Sequence, residues 1–209
     1  MTLSIHHLAF ERNNAPLFSD INCLLSNGEM LQIRGANGAG KSTLLRIIAG
    51  YIQPQTGMIL WECRNIFQQL DNYTQQICYL GHQNAVKPHL TVYENLQLSA
   101  ALANKKISHE KFISVLHTMG IEHARETQAI HLSAGQTRRL ALSRLLLTSA
   151  RLWILDEPTT ALDADGHDLL MDLLQQHLSS GGIAIIAAHH PLEAIHPIKM
   201  LHLNESVHA

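Results

Sequence analysis

The string Gly35-Ala36-Asn37-Gly38-Ala39-Gly40-Lys41-Ser42 reads G-x-x-x-x-G-K-S, a spacing suited to holding a polyphosphate. Its glycines let the main chain wrap closely, so successive N–H groups can face an anion. A helix beginning near Lys41 adds its positive end. Lys41 is the candidate contact for the β- and γ-phosphates, Ser42 for Mg²⁺, and Thr43 for the α-phosphate. The apolar run Met30–Arg34 before the loop and the amphipathic Lys41–Gly50 after it supply the strand–loop–helix order that the motif needs. Binding of a nucleoside triphosphate follows. Its purpose does not.

A second set of groups gives the triphosphate something to do. Leu152-Trp153-Ile154-Leu155 reads as a buried strand and runs straight into Asp156-Glu157. Strands of a parallel sheet deliver the residues at their carboxyl ends into the crevice where ligands sit. Two adjacent carboxylates there are costly unless a cation and a proton transfer use them. Asp156 is the candidate for holding Mg²⁺ through water. Glu157, one residue further, is the candidate base for an attacking water.

Around these groups the pattern is α/β. Leu3, Ile5 and Leu8 set one face of a first strand, Asn13-Asn14 marks a turn, and Phe18–Leu25 reads as the returning strand. Short strands are expected at Gly57–Trp61 and Ile77–Leu80, and helix over Thr91 to Met119 with Gly120 as its stop. A further helix runs from Gly135 through Leu147. Leu152–Leu155 and Ile183–Ala188 are apolar runs typical of strands buried on both faces, with a helix over Asp165–Leu178 between them. The expectation is a mixed-sheet core, an antiparallel β part and a helical insertion in one domain spanning 1–209: core 1–83 and 141–209, helical subdomain about 84–140.

The 209 residues carry 46% hydrophobic and 15% charged residues and a formal net charge of -2, a globular composition that argues against a nucleic-acid surface. No stretch is apolar enough for a membrane span, and Met1 to Phe10 lacks the layout of an export signal. Cys23, Cys63 and Cys78 have no CxxC spacing and read as reduced thiols of a cytoplasmic protein.

Leu132-Ser133-Ala134-Gly135-Gln136 resembles the LSGGQ signature of ABC-type ATPases, with alanine for one glycine. Along the chain the order also resembles that family: phosphate loop at 35–42, a glutamine loop at Gln83, the signature, the Asp156-Glu157 strand, a D-loop at Ala161-Leu162-Asp163, and a switch histidine at His189. The resemblance covers essentially the whole chain and implies a P-loop NTPase fold of the ABC type. It implies ATP and Mg²⁺ as cofactors, Gln83 near Mg²⁺ and water, and His189 at the γ-phosphate. Ser133, Gly135, Gln136 and Asp163 would contact nucleotide across a head-to-tail dimer with a second copy. Phe10 either stacks on adenine, as an aromatic does in many relatives, or is core.

Finer details are similar to the haem exporter ATP-binding proteins of c-type cytochrome maturation, the CcmA family. They include Tyr79-Leu80-Gly81-His82-Gln83, Leu90-Thr91 with Glu94-Asn95-Leu96, the Leu132-to-Leu142 run, and His189-His190-Pro191-Leu192. That resemblance implies a peripheral subunit at the cytoplasmic face of a bacterial inner membrane, docked to integral membrane partners. The coupling surface is expected in 84–102, where the apolar residues near Val86, Leu90 and Val92 either stand exposed to receive a short helix of the membrane partner or form an ordinary packing face. The fifteen histidines are scattered, and His6-His7 and His189-His190, adjacent in strands, should point to opposite faces, so direct haem binding is not expected. The alternatives are the ATPase of another small ABC transporter, or an ATP-dependent clamp that does not turn over.

Overall fold

The computed structural model describes residues 1–188, 192 and 198–203. The chain opens with β1 (Thr2–Arg12) and β2 (Ala15–Ser26), then β3 (Met30–Arg34), α1 (Lys41–Ile48), β4 (Thr56–Trp61) and β5 (Arg64–Asn65). After a single 3-10 turn come α2 (Leu70–Thr74), β6 (Ile77–Leu80), α3 (Val92–Leu102) and α4 (His109–Thr118). Two more 3-10 turns lead to α5 (Ala134–Leu147), β7 (Leu152–Asp156), α6 (Ala164–Ser179), β8 (Ile183–Ala187) and β9 (Ile198–His202).

The strands form two sheets. One is antiparallel, in the order β2-β1-β4-β5; the other is parallel, in the order β6-β7-β8-β3-β9. Every residue of β7 and β8 is buried, which is why both read as unbroken apolar runs. One core lies between the antiparallel sheet, α1 and the parallel sheet. A second lies on the parallel sheet's other face, under α3, α4, α5 and α6. The fold is mixed α/β with an antiparallel sheet and a group of helices in the middle of the sequence.

Several expectations change. The spacing Leu3, Ile5, Leu8 breaks a period of two, yet all three side chains are buried. A bulge absorbs the extra residue: His7 takes φ +48°, and its main-chain N–H donates to Asn22 Oδ1. His6 and His7 are consequently both exposed, not on opposite faces. The helical stretch 91–119 is two helices, because Asn104 turns left-handed at φ +52° and Ser108 caps the second one. Val92 is fully buried and Val86 packs against the same core, so these two serve the helices' own packing. β5, α2 and β9 had no counterpart in the sequence reading. Cys23, Cys63 and Cys78 are all free thiols.

Candidate active site

All five strands of the second sheet are parallel, so their carboxyl ends share one edge. Across that edge the register forms a row: Asp156 on β7 pairs with Ala187 on β8, Ala187 with Ile33 on β3, and Ile33 with Leu201 on β9. Neighbouring strands lie about 4.8 Å apart, so Asp156 and the start of the 35–40 loop are held roughly 10 Å apart by main-chain hydrogen bonds alone. β6 ends in the same way, one register step from Asp156, and leads into Gly81-His82-Gln83. The topology thus gathers the phosphate loop, Asp156-Glu157 and Gln83 at one edge. His189, two residues beyond β8, lies outside the described residues.

The loop itself is tight where it must be. Gly40, the residue before α1, sits at φ +96°, and a Cβ there would lie 2.7 Å from Leu17 Cγ. Lys41 is buried, and its Nζ donates to Gly35 O at 2.7 Å and Ala36 O at 3.1 Å, folding the ammonium back over the loop. Ala36, Asn37 and Gly38 are exposed, Ala39 is buried, and Ser42 and Thr43 in the first turn of α1 are half-buried. Phe10 is half-buried and stacks on Phe18, ring centroids 6.3 Å apart; Phe18 in turn abuts Gly40. Its ring therefore lines the corner beside the phosphate loop and also packs on the core.

At the carboxylate end Asp156 is 2% exposed, and its Oδ2 is buried with no hydrogen-bond partner among the described residues. A buried carboxylate oxygen left open at a strand end beside a phosphate loop fits a hydrated divalent cation. Glu157, half-buried, takes φ +49°, a costly conformation for a residue with a Cβ. Gln83 is exposed in the loop after β6. That loop is organised further on by Asn95. Its side-chain Oδ1 accepts from Lys87 N, and its Nδ2 donates to the carbonyls of Lys87, Leu90 and Thr91, the last at 2.9 Å. Thr91 and Glu94 close a capping box that starts α3.

Leu132–Gln136 keeps different company. Ser133 caps α5, its Oγ accepting Gln136 N–H at 3.2 Å, while Gln136 Oε1 accepts Ser133 N–H at 3.0 Å. The box uses the hydroxyl as an acceptor, so its own proton remains to be donated outward. Ala134 is exposed, and a Cβ on Gly135 would lie 3.3 Å from Ala161 O, so the string leans on 161–163. Asp163 caps α6 through Gly166 N–H and accepts Arg139 Nη2 at 2.7 Å; that bond, with the Gly166 contact, holds its carboxyl below the usual range. Among the described residues no hydrogen bond joins 133–136 to 35–43. The two helix starts, that of α1 at Lys41 and that of α5 at Ala134, thus lie at two separate places in one chain.

The known proteins that this chain is similar to belong to one family. The sequence profile of the ABC transporter family matches residues 18–160. The chain is 44% identical over 193 residues to the cytochrome c biogenesis ATP-binding export protein CcmA of Albidiferax ferrireducens, covering 92% of this chain and 91% of that one. The chain belongs to the ABC transporter family, as an ATP-binding subunit of the CcmA type. A putative ABC transporter ATP-binding protein from Pyrococcus furiosus superposes with a TM-score of 0.85 at 27% identity, covering 96% of this chain and 98% of that chain. A dimeric ATP-binding cassette in a post-hydrolysis state, bound to ADP and Pi, shares the fold with a TM-score of 0.79 at 23% identity, covering 90% and 88%. Nucleotide binding and ATP hydrolysis are the business of this ABC subunit.

One residue of this ABC subunit escaped the sequence reading. Arg138 of α5 is 2% exposed and spends its guanidinium on three main-chain carbonyls and one side-chain amide. Nε donates to Pro158 O at 3.1 Å, Nη2 to Glu157 O at 2.7 Å and Asp156 O at 3.2 Å, and Nη1 to Asn84 Oδ1 at 2.9 Å. Burial pulls its pKa down, with Arg144 adding to that, while Asp156 and Glu157 oppose it. A signal was present. Arg138, Ala141, Leu142 and Leu145 share one helical stripe, and all four are buried, so the arginine stands where an apolar residue belongs.

Proposed function

We propose that this ABC subunit is one 1–209 nucleotide-binding domain with a helical subdomain at about 84–140, and that it hydrolyses MgATP in a sandwich of two copies. The observation that carries this reading is the separation of the two anion sites. Gly35–Ser42 wraps one triphosphate with Lys41 on its β- and γ-phosphates, Thr43 at the α-phosphate and Phe10 against the adenine. Ser133, the first-turn N–H groups near Gly135, Gln136 and Asp163 serve the nucleotide of the second copy. Mg²⁺, held by Ser42, Asp156 and Gln83, would supply charge neutralisation at the β- and γ-oxygens; the open Oδ2 of Asp156 supports the assignment. Glu157 takes the proton of the attacking water, and His189 stands at the γ-phosphate.

The hydrolysis serves a membrane complex at the cytoplasmic face of a bacterial inner membrane. No helix of the described residues is long and apolar enough to cross a membrane; in this reading integral membrane partners supply the spans. The named relative is an export protein of cytochrome c biogenesis, and haem handling for that process is the cargo task we infer. In this reading the chain's own role is the ATPase stroke, with direct haem and nucleic-acid binding outside it. A groove of about 360 Å³ between β6, α3 and α5 supports docking of a short partner helix. Ala85, Leu98 and Leu102 are among its apolar lining residues, and Lys87 and Arg144 give it positive charge.

Steady-state ATPase and size-exclusion measurements on Glu157→Gln test the reading. The variant should bind ATP, accumulate as the dimer, and hydrolyse about 10²–10⁴-fold more slowly, the usual worth of a placed general base. Turnover at the wild-type rate removes Glu157 from that role.

A further inference from the structure

The φ and ψ of a residue are set by the two peptide planes that flank its Cα. At Glu157 a single side chain grips both. The carbonyl of the 156–157 peptide and the carbonyl of the 157–158 peptide each accept from Arg138 Nη2, and the next carbonyl, of Pro158, accepts from Nε. On the opposite side Glu157 N–H donates to Ala187 O at 2.9 Å. Those bonds hold a non-glycine residue at φ +49°, a backbone that costs about 1–3 kcal/mol when left to itself. A planar guanidinium has the fork of donors for three successive carbonyls and a fourth acceptor; a lysine ammonium does not.

The fourth acceptor decides what else the clamp does. Arg138 Nη1 donates to Asn84 Oδ1, one residue after Gln83 and one before Ala85, which lines the groove between α3 and α5. A main-chain shift in 84–87 therefore pulls on the guanidinium that sets the Glu157 backbone.

We propose that Arg138 is a positioning residue: it fixes the direction of the Glu157 carboxylate and, through Asn84, ties that direction to the segment lining the groove. This rests on Glu157 acting as the base, and the test separates the two. In the full-length protein, kcat, KM and ATP affinity are measured for Arg138→Lys, Glu157→Gln and the double variant, with thermal melts of each. Arg138→Lys should melt cooperatively, bind ATP within about threefold of wild type and lose about 10–100-fold in kcat, the usual effect of misplacing a reacting group by about an ångström. The double variant should turn over no more slowly than Glu157→Gln alone, because the clamp acts only through that carboxylate.

A purely structural arginine would instead lower affinity and kcat together, or multiply its loss onto Glu157→Gln. Either result, or a normal kcat in Arg138→Lys, overturns the proposal. If Arg138→Lys does not fold, Asn84→Ala takes its place, with a kcat loss of about 3–10-fold and the same non-additivity expected; an additive or absent loss overturns it equally. Wild-type turnover in Glu157→Gln sinks the base assignment itself. An inactive Glu157→Gln beside a fully active Arg138→Lys sinks the positioning role alone.

Discussion

Two glycines of the phosphate loop make a matched pair. Gly40 and Gly38 both hold positive φ, +96° and +87°, so alanine at either is strained. A left-handed backbone costs an L-residue about 1–2 kcal/mol, partly offset by the roughly 0.4–1 kcal/mol that alanine takes from the freedom of the unfolded chain. At Gly38 a Cβ meets nothing within 4 Å, so Gly38→Ala should cost about 1 kcal/mol. At Gly40 the Cβ would lie 2.7 and 2.9 Å from Leu17 Cγ and Cδ2 and 3.2 Å from Phe18 Cδ1. Overpacking of that kind adds about 1–3 kcal/mol. For a chain of this length each kcal/mol lowers Tm by about 2–4 °C. Nucleotide-free Gly40→Ala should therefore melt about 5–15 °C below wild type, and Gly38→Ala at most about 4 °C below. Leu17→Ala removes the clashing carbons, so the Leu17→Ala/Gly40→Ala pair should recover about 1–3 kcal/mol relative to additivity. Differential scanning calorimetry without nucleotide measures the wild type and the four variants. Equal losses at the two glycines, or strict additivity with Leu17→Ala, would refute a fit between α1 and β2 that leaves no room for a methyl.

Two further outcomes follow from other parts of the molecule. His177 of α6 stacks on Trp153 with ring centroids 3.9 Å apart, and its Nε2 lies 3.1 Å from Ile183 O, so the neutral ring donates there. Burial depresses its pKa below the ordinary imidazole value of about 6.5, against a smaller upward pull from the Ile183 carbonyl. The unfolded state then binds the proton first as pH falls, so this residue's contribution is complete above about pH 6.5 and lost progressively below it. Denaturant midpoints of wild type should fall on acidification through that window, and His177→Phe should flatten the slope; an unchanged slope refutes the assignment. In the groove, Leu98→Asp with Leu102→Asp should abolish co-sedimentation with membranes carrying the partner complex while purified ATPase activity stays within about twofold. Retained sedimentation would exclude that groove as the dock.

Much of the active edge was readable because it combines two strong signals. Buried parallel strands appear as apolar runs, and the residues that stop those runs, Gly35 and Asp156, are the ones proposed to face a ligand. What stayed hidden was short or edge-placed. β5 is a two-residue pairing of Arg64 and Asn65 with Leu60 and Trp61, and β9 lies at the rim of the sheet with Lys199, Met200 and His202 exposed. Neither has a periodicity to read. The break between α3 and α4 carries no proline or glycine, only a left-handed Asn104 and the cap Ser108. Val92 reads equally as part of an exposed apolar surface or of a packing face, and the Thr91 capping box turns it into the core. The role of Arg138 depends on three carbonyls from another element, which no local pattern encodes.

The first turns of α5 join functions that look separate in the sequence. Ser133 caps the helix, and Arg138 follows five residues later, about 7.5 Å along the axis. The turn between them is tied by the capping box of Ser133 and Gln136. In the two-copy sandwich proposed above, an anion on Ser133 is the nucleotide of the opposite copy, whereas Glu157, clamped by Arg138, acts on the nucleotide of its own. A tilt of α5 that closes Ser133 on one triphosphate must therefore move the clamp at the other. Arg139 strengthens the connection by pairing with Asp163 beside the same loop. Because α5 also packs on β6 and borders the groove, in that sandwich one helix would meet the opposite copy's nucleotide at Ser133, the Glu157 backbone at Arg138 and the proposed membrane dock, and no longer relay is required to make the two sites respond to each other.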